Sequence, residues 1–190
     1  MRKICLLGGV DKRAIAYPLI KVLMFMGKTL VVADDGVYRR FSDDYALRFN
    51  YQNSDFIISP LIDEGILEEV ASVEDSYDSI LFITTNELPL DCDKVIHCRG
   101  VEKAFSSKAV LNEAEKLDYK EVYVTSSKVD SDSNLVINPN KAVYSYLSEC
   151  EDKKEFIGTK EGALTSLLIS LFDKELNLPK KTVSGLLRRD

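Results

Sequence analysis

The residues best suited to chemistry stand near the start of the chain, where a short apolar run ends in residues 8–13, with the sequence GGVDKR. A glycine turn between a buried strand and a helix is where α/β proteins bind phosphate, because backbone N–H groups and the helix N-terminus face the anion. Lys12 and Arg13 add two cations there, whereas Asp11 adds a negative charge where a phosphate would lie. The segment predicts either a phosphate loop or a tight turn of purely structural use.

A second candidate is the acidic pair Asp34-Asp35, which follows the apolar run 29–33. A carboxylate at the end of the second strand binds ribose in dinucleotide-binding folds. The glycine turn lacks the G-x-G-x-x-G spacing of those folds, which counts against a Rossmann-like enzyme with a nucleotide cofactor. We keep that enzyme as an alternative, and capping or surface carboxylates as the ordinary interpretation of the pair.

Cysteine and histidine give no metal or catalytic pattern. The four cysteines are scattered without a C-x-x-C pair, and the single histidine, His97, lies in the apolar run 95–98. This spacing suits neither a zinc site nor a disulfide framework, and it favours a half-buried strand around His97. We therefore predict no metal ligands and no catalytic residues.

Residues 38–51 interleave five aromatic side chains with three arginines. Tyrosine and arginine are enriched in the cores of protein interfaces, so the stretch is a candidate partner-binding surface. A helix packed on the sheet explains the same composition, and we favour that interpretation slightly. We expect residues 37–55 as a whole to be an irregular excursion.

Hydrophobic periodicity predicts how these residues are positioned. Uniformly apolar runs indicate parallel strands buried on both faces, and 3.6-residue spacing indicates helices between them. Pro18 is expected to kink the first helix or delay its start, and Gly27 to end it. The expected strands are 2–7, 29–33, 56–58, 79–84, 94–98 and 121–125, and the expected helices 12–26, one around 66–73, 101–116, 140–149 and 160–175. This alternation predicts a three-layer α/β sandwich with a mostly parallel sheet.

Four segments in this order resemble the ParA/MinD family of ATPases. Residues 7–13 resemble its deviant P-loop, Lys-Gly-Gly-Val-Gly-Lys-Thr-Thr, and residues 27–34, 77–84 and 92–96 resemble its following strand motifs. The resemblance covers residues 1–99 and implies a P-loop NTPase-like fold with ATP or ADP as the nucleotide. The nucleotide-binding residues that it implies are Gly8, Gly9, Val10, Asp11, Lys12, Arg13 and Asp34.

The departures from the family pattern fall on residues that hydrolysis needs. Leu7 replaces the signature lysine, Asp11 a glycine and Arg13 the metal-binding hydroxyl, while Ile83 or Thr84 stands where a metal-side acid is expected. Without the hydroxyl and the acid, Mg²⁺ loses its anchors. The chain is therefore expected to be a pseudo-ATPase. A structural loop, nucleotide binding without turnover, and a working ATPase with unusual motifs all stay open.

We therefore interpret the sequence as that of a catalytically degenerate ParA/MinD-like protein that acts as an interaction or scaffold subunit. The resemblance implies partition, assembly of cell-surface machines, or secretion as its setting. A protein partner is expected, and any homodimer should form without nucleotide. The net charge of −6 does not indicate a nucleic-acid partner. No apolar stretch reaches membrane-spanning length, so a cytoplasmic location is expected.

The chain is expected to form one domain over residues 1–178, followed by a basic tail at 179–190. The tail is similar to the short amphipathic helix with which MinD-type proteins dock on membranes. We favour a frayed, solvated end for this tail. If the chain contacts a membrane at all, we expect a weak, salt-sensitive contact through residues 180–189.

Overall fold

The computed structural model describes residues 1–85, 92–100, 119–125 and 136–188. Eight strands of these ranges form one sheet in the order β3-β4-β2-β5-β1-β6-β7-β8. Every neighbouring pair is parallel except β3 and β4. The strands are β1 (Arg2–Leu7), β2 (Thr29–Ala33), β3 (Arg48–Tyr51), β4 (Ser54–Ile58), β5 (Ser79–Thr84), β6 (Lys94–Arg99), β7 (Tyr119–Val124) and β8 (Val136–Ile137).

Five α-helices lie in the described ranges, together with two short 3-10 helices at Gly36–Phe41 and Glu74–Ser76. The α-helices are α1 (Arg13–Met26), α2 (Glu64–Val73), α3 (Lys141–Lys153), α4 (Gly162–Glu175) and α5 (Lys180–Leu187).

Alternate side chains of the buried strands build two cores, one on each face of the sheet. Ile4 and Leu6 of β1 face the larger core, which α1, α3, α4 and α5 cover. Cys5 and Leu7 face the smaller core, to which α2 contributes Val70. Helices on both faces of a mostly parallel sheet confirm the predicted three-layer α/β sandwich.

Helix α1 connects β1 to β2, and β5 lies between these two strands in the sheet. The helix is continuous from Arg13 through the buried Pro18 and ends, as predicted, before Gly27. A Cβ atom at Gly27 would lie 2.3 Å from the Asp78 carboxylate, which accepts a hydrogen bond from the Lys28 amide at 2.8 Å. Only glycine fits this close approach between the end of α1 and the start of β5.

The structure differs from the sequence-based elements mainly at residues 37–55. The prediction of an irregular segment is wrong, because this region contains a 3-10 helix at Gly36–Phe41 and strand β3. Strand β3 pairs with β4, which begins at Ser54, two residues before its predicted start. The short strand β8 was not predicted, and α3 extends to Lys153. The helix expected at 101–116 lies outside the described residues.

Residues 180–187 form α5, so a frayed, solvated end is wrong for that segment. Val183 and Leu187 are completely buried in the larger core. Backbone pairing fixes the end of the helix, since the Thr159 amide donates to the Leu187 carbonyl at 2.8 Å. The domain boundary at residue 178 stays a prediction.

Candidate functional site

The glycine turn begins at the carboxyl end of β1, in the middle of the sheet, where Leu7 pairs with Thr84 of β5 and His97 of β6. Gly8 has a φ of +137°, and a Cβ atom there would lie 2.0 Å from the Cys98 carbonyl oxygen. Its amide donates to the Thr84 carbonyl at 3.0 Å. Chain geometry therefore requires glycine at residue 8 whether or not an anion binds.

Lys12 points back into the turn that precedes it. Its side chain is buried, and its Nζ donates to the Gly8 carbonyl at 2.5 Å and to the Val10 carbonyl at 3.5 Å. Its positive charge also acts on Cys98, whose pKa burial raises to about 12 in spite of the lysine. The ammonium group of Lys12 therefore binds carbonyl oxygens of its own loop, where a P-loop lysine would bind phosphate.

Asp11 and Arg13 form an ion pair across the start of α1. The Arg13 Nε lies 3.0 Å from Asp11 Oδ1, and Nη2 lies 2.7 Å from Oδ2. Asp11 Oδ1 also accepts the Arg13 backbone amide at 3.0 Å. Burial raises the pKa of Asp11, but the hydrogen bonds from Arg13 outweigh it and hold that pKa below its usual value. A protein carboxylate therefore already occupies the helix N-terminus that would face an anion.

Glu151, near the end of α3, joins this cluster from a distant part of the sequence. Its buried carboxylate accepts Arg13 Nη1 at 2.7 Å and the Tyr17 hydroxyl at 2.9 Å through Oε1, and Arg40 Nη1 through Oε2. Burial and the Glu151 charge raise the pKa of Tyr17. The sequence analysis missed Glu151, and the one available signal was an acid on the apolar face of α3, beside Leu147 and Cys150.

Asp34 serves a different part of the fold. Its carboxylate accepts the backbone amide of Thr85 just after β5, and its own amide donates to the Ile83 carbonyl at 3.0 Å. The neighbouring Asp35 caps the 3-10 helix by accepting the Val37 amide at 2.9 Å. The structure brings Asp11, Lys12 and Arg13 together, whereas Asp34 follows β2, two strands away from β1, and binds the backbone just after β5.

The remaining family positions are closed to solvent. Leu7 and Ile83 are completely buried, and Thr84 is 1% exposed. Leu7 contributes to the smaller core and Ile83 to the larger one. In the described ranges, no group of three or more His, Cys, Asp or Glu side chains is placed to bind a metal ion.

The aromatic and arginine stretch divides into a buried and an exposed part. Tyr38 and Phe41 are buried, and both contact the Tyr17 ring edge-on at centroid distances of 5.8 and 5.2 Å. Tyr45 is exposed, and Arg39 Nε donates to its carbonyl at 2.6 Å. The first part of the stretch is thus core packing beside the Glu151 cluster.

Comparison with known proteins gives a result at the level of the fold. No protein-family model matches the chain, and no curated protein is similar in sequence. Among solved structures, the MinC:MinD cell division protein complex of Aquifex aeolicus matches with a TM-score of 0.50 and 13% identity over 100% of this chain and 95% of that one. The MinD cell division protein of the same organism matches with a TM-score of 0.48 and 16% identity over 100% and 96%. The chain therefore has an α/β fold of the P-loop NTPase, ParA/MinD type.

No helix in the described part of the chain is both long and apolar enough to cross a bilayer.

Proposed function

We propose that this chain is a catalytically inactive ParA/MinD-like protein that acts as an interaction or scaffold subunit. The observation that carries the proposal is that both cations of the loop after β1 already bind groups of the protein itself. Arg13 is bound by two carboxylates of the protein, and Lys12 is bound by two carbonyls of its own loop. A bound nucleotide would have to displace these partners and would also meet the negative charge of Asp11.

Two positions that anchor Mg²⁺ in the family pattern carry unsuitable side chains here, which also supports this proposal. Arg13 replaces the hydroxyl, and the buried apolar Ile83 replaces the acid. The ion bridges the transferring phosphates and neutralises their developing charge, so its loss removes the main stabilisation of the transition state.

The test is an ATPase assay with purified protein, ATP and Mg²⁺, for which we expect no turnover above background. A rate that disappears in Lys12→Ala would overturn the proposal and favour the alternative, a working ATPase with unusual motifs. The matched control is Lys28→Ala, because Lys28 follows the end of α1 and lies away from the loop.

Nucleotide binding without turnover is tested separately by the melting temperature. A ligand present at about 100 times its Kd stabilises a protein by about 2.7 kcal/mol, so binding of ATP or ADP would raise the melting temperature. We expect no rise with either nucleotide. A rise that Lys12→Ala abolishes would assign the loop a nucleotide-binding role.

The proposed partner is a protein. A solved structure of this fold is the MinC:MinD cell division protein complex, which is a precedent for a protein partner. The proposed setting, which is partition, assembly of cell-surface machines or secretion, rests on the resemblance of the sequence motifs. A homodimer that forms without nucleotide is compatible with this role. The cytoplasm is the proposed location, and co-purification of the tagged chain from a cytosolic fraction tests both proposals.

The membrane hypothesis for the tail has weaker support. The apolar residues Val183 and Leu187 are buried in the core, which leaves the exposed cations Lys180, Lys181 and Arg188 to face lipid. Contact through these cations would be weak and salt-sensitive. Sedimentation with anionic vesicles at low salt tests it, and sedimentation that survives deletion of residues 179–190 would rule the tail out.

A further inference from the structure

Two clefts that share one lining residue lie on the side of the larger core, and neither is lined by a residue of the loop after β1. The first has a volume of about 470 Å³ and runs between α1, the end of β3 and the segment that joins α3 to α4. The second, of about 310 Å³, lies at the start of α4. Arg188, just after α5, lines both clefts. We call the two clefts together the basic groove.

The charge of the basic groove opposes that of the chain. Four cations line it, and Glu155 is its one acidic lining residue, although the chain carries a net charge of −6. The lining cations are Lys21, Lys153, Lys160 and Arg188. A local cluster of cations on an acidic protein attracts a negatively charged partner to that part of its surface.

Two of these cations are available to a partner. Arg188 and Lys160 are exposed, and within residues 1–85, 92–100, 119–125 and 136–188 neither takes part in a salt bridge. Lys153 pairs with Glu149 at 2.7 Å one helical turn away, with both side chains exposed. Such a pair is worth only about 0.3–0.5 kcal/mol, so it exchanges readily for a new partner.

The wall of the groove is aromatic and held in place. Phe156 is buried and packs edge-on against Tyr51 at a centroid distance of 5.2 Å. The backbone of Arg188 is fixed by a bridge to Thr159 and by donation of its amide to Ser184 at 3.1 Å. A fixed backbone at Arg188 lowers the ordering cost of binding, and arginine and tyrosine are enriched among the residues that dominate interface energies.

The shape selects a chain-like occupant. The cations are spread along two clefts that share Arg188 and are open to solvent, whereas small-molecule sites enclose most of their ligand. An extended peptide can follow such a groove, placing carboxylates near the cations and an apolar side chain against the wall formed by Tyr51 and Phe156.

We propose that the basic groove binds an extended acidic segment of a partner protein that also carries an apolar side chain. The proposal rests on the proposed function, since it names the surface and the chemistry by which the interaction subunit recognises its partner. No covalent step is involved, and the loop after β1 takes no part.

The experiment measures fluorescence anisotropy of a labelled ten-residue peptide with eight acidic residues around a central Leu-Phe pair. We expect a Kd of about 100 μM at low salt, weakening as ionic strength rises. Arg188→Glu should weaken binding at least about tenfold, because like charges across an interface are strongly unfavourable. Lys153→Glu, in a separate variant, should weaken it in the same direction.

The matched control is Lys174→Glu, the same charge reversal at an exposed position near the other end of α4. It should change the Kd by less than about twofold, in keeping with screening of distant charges. An equal loss in this control, or no binding to the wild-type protein, would overturn the proposal. A ten-nucleotide single-stranded DNA that binds as tightly as the peptide would also overturn it, since the groove would then select phosphate chains.

Melting temperatures of the variants separate loss of binding from loss of folding, and Lys153→Glu tests the groove if Arg188→Glu fails to fold. The two proposals fail by different results. Absence of peptide binding without ATP turnover overturns only the groove, whereas ATP turnover overturns the proposed inactivity whatever the peptide does.

Discussion

Glu151 receives hydrogen bonds from Arg13 and Tyr17 of α1 and from Arg40 of the 3-10 helix. A buried carboxylate is costly to desolvate, and several charge-assisted hydrogen bonds offset that cost. The cluster therefore fixes α3 against α1 and the 3-10 helix. In the family that the sequence resembles, the position of Arg13 carries a metal-binding hydroxyl. The structural use of Arg13 in this cluster and a catalytic use of the same position therefore exclude each other.

Replacing Glu151 by Gln should destabilise the protein by about 2–3 kcal/mol, because the arginines Arg13 and Arg40 lose a buried counter-charge. Urea denaturation measures the change. Glu149→Gln is the matched control on the same helix, where the exposed pair with Lys153 is worth less than about 0.5 kcal/mol. Equal stabilities of the two variants would show that the cluster does not hold α3 in place.

Asp11 makes stability depend on pH in a definite direction. Hydrogen bonds from Arg13 hold its pKa in the folded state below the ordinary value of 3.8. Its contribution is therefore present above pH 3.8 and is lost as the pH falls through the folded-state pKa. The wild-type protein should be more stable than Asp11→Asn at about pH 6, and the difference should shrink toward about pH 2.5. Urea denaturation across that range checks it, and a pH-independent difference would contradict the assignment.

Elements were predictable where one local signal decided them. The uniformly apolar runs of β1, β2 and β5 gave their bounds from the sequence, because strands buried on both faces need no partner-specific pattern. Strand β3 was not predicted, although Phe49 and Tyr51 alternate with exposed Arg48 and Asn50. Four residues are too few for a period-two pattern to stand out from an aromatic-rich loop.

The candidate site was predictable only in part, for a different reason. Gly8, Lys12 and Arg13 lie within one six-residue segment, so the sequence shows that they are neighbours. Glu151 reaches Arg13 across 138 residues, and only the packing of α3 on α1 brings it there. The partners that neutralise the loop come from tertiary structure, which explains why the sequence left nucleotide binding open.

Helix α5 is held by its apolar face. Leu187 is 1% exposed, whereas Leu186 next to it is only half-buried. Leu187→Ala should cost about 2–4 kcal/mol, since it leaves a cavity in the larger core. Leu186→Ala makes the same chemical change at a partly solvated position and should cost about 1 kcal/mol or less. Thermal unfolding of both variants distinguishes a packed helix from a detached one, for which the two would be equal and close to wild type.

In the family that the sequence resembles, ATP joins two copies of the chain through one lysine, which Leu7 replaces here. In that family a signature lysine reaches the partner's phosphates, and here Leu7 is buried beside β5 and β6. We therefore expect any self-association to use other surfaces and to be independent of nucleotide.

The oligomeric state should accordingly be the same with and without ATP and Mg²⁺. Light scattering across a range of protein concentrations measures the mass under both conditions. A shift from monomer to dimer on adding ATP would refute the prediction. Lys12→Ala serves as the control variant, because a shift that persists in it would have a cause other than the loop after β1.

The strand order has a consequence for how the chain folds. Strand β1 is synthesised first, yet its two sheet neighbours come from much later in the chain, with Arg2 beside Ser79 and Ile4 beside Lys94. Pairings at such separations form slowly, because loop-closure entropy must be overcome before the contacts form. Until then the apolar residues 4–7 of β1 have two open strand edges, which favour aggregation. A nascent chain that ends before β6 leaves one edge of β1 unpaired, so the centre of the sheet is completed only after Lys94–Arg99 has been added.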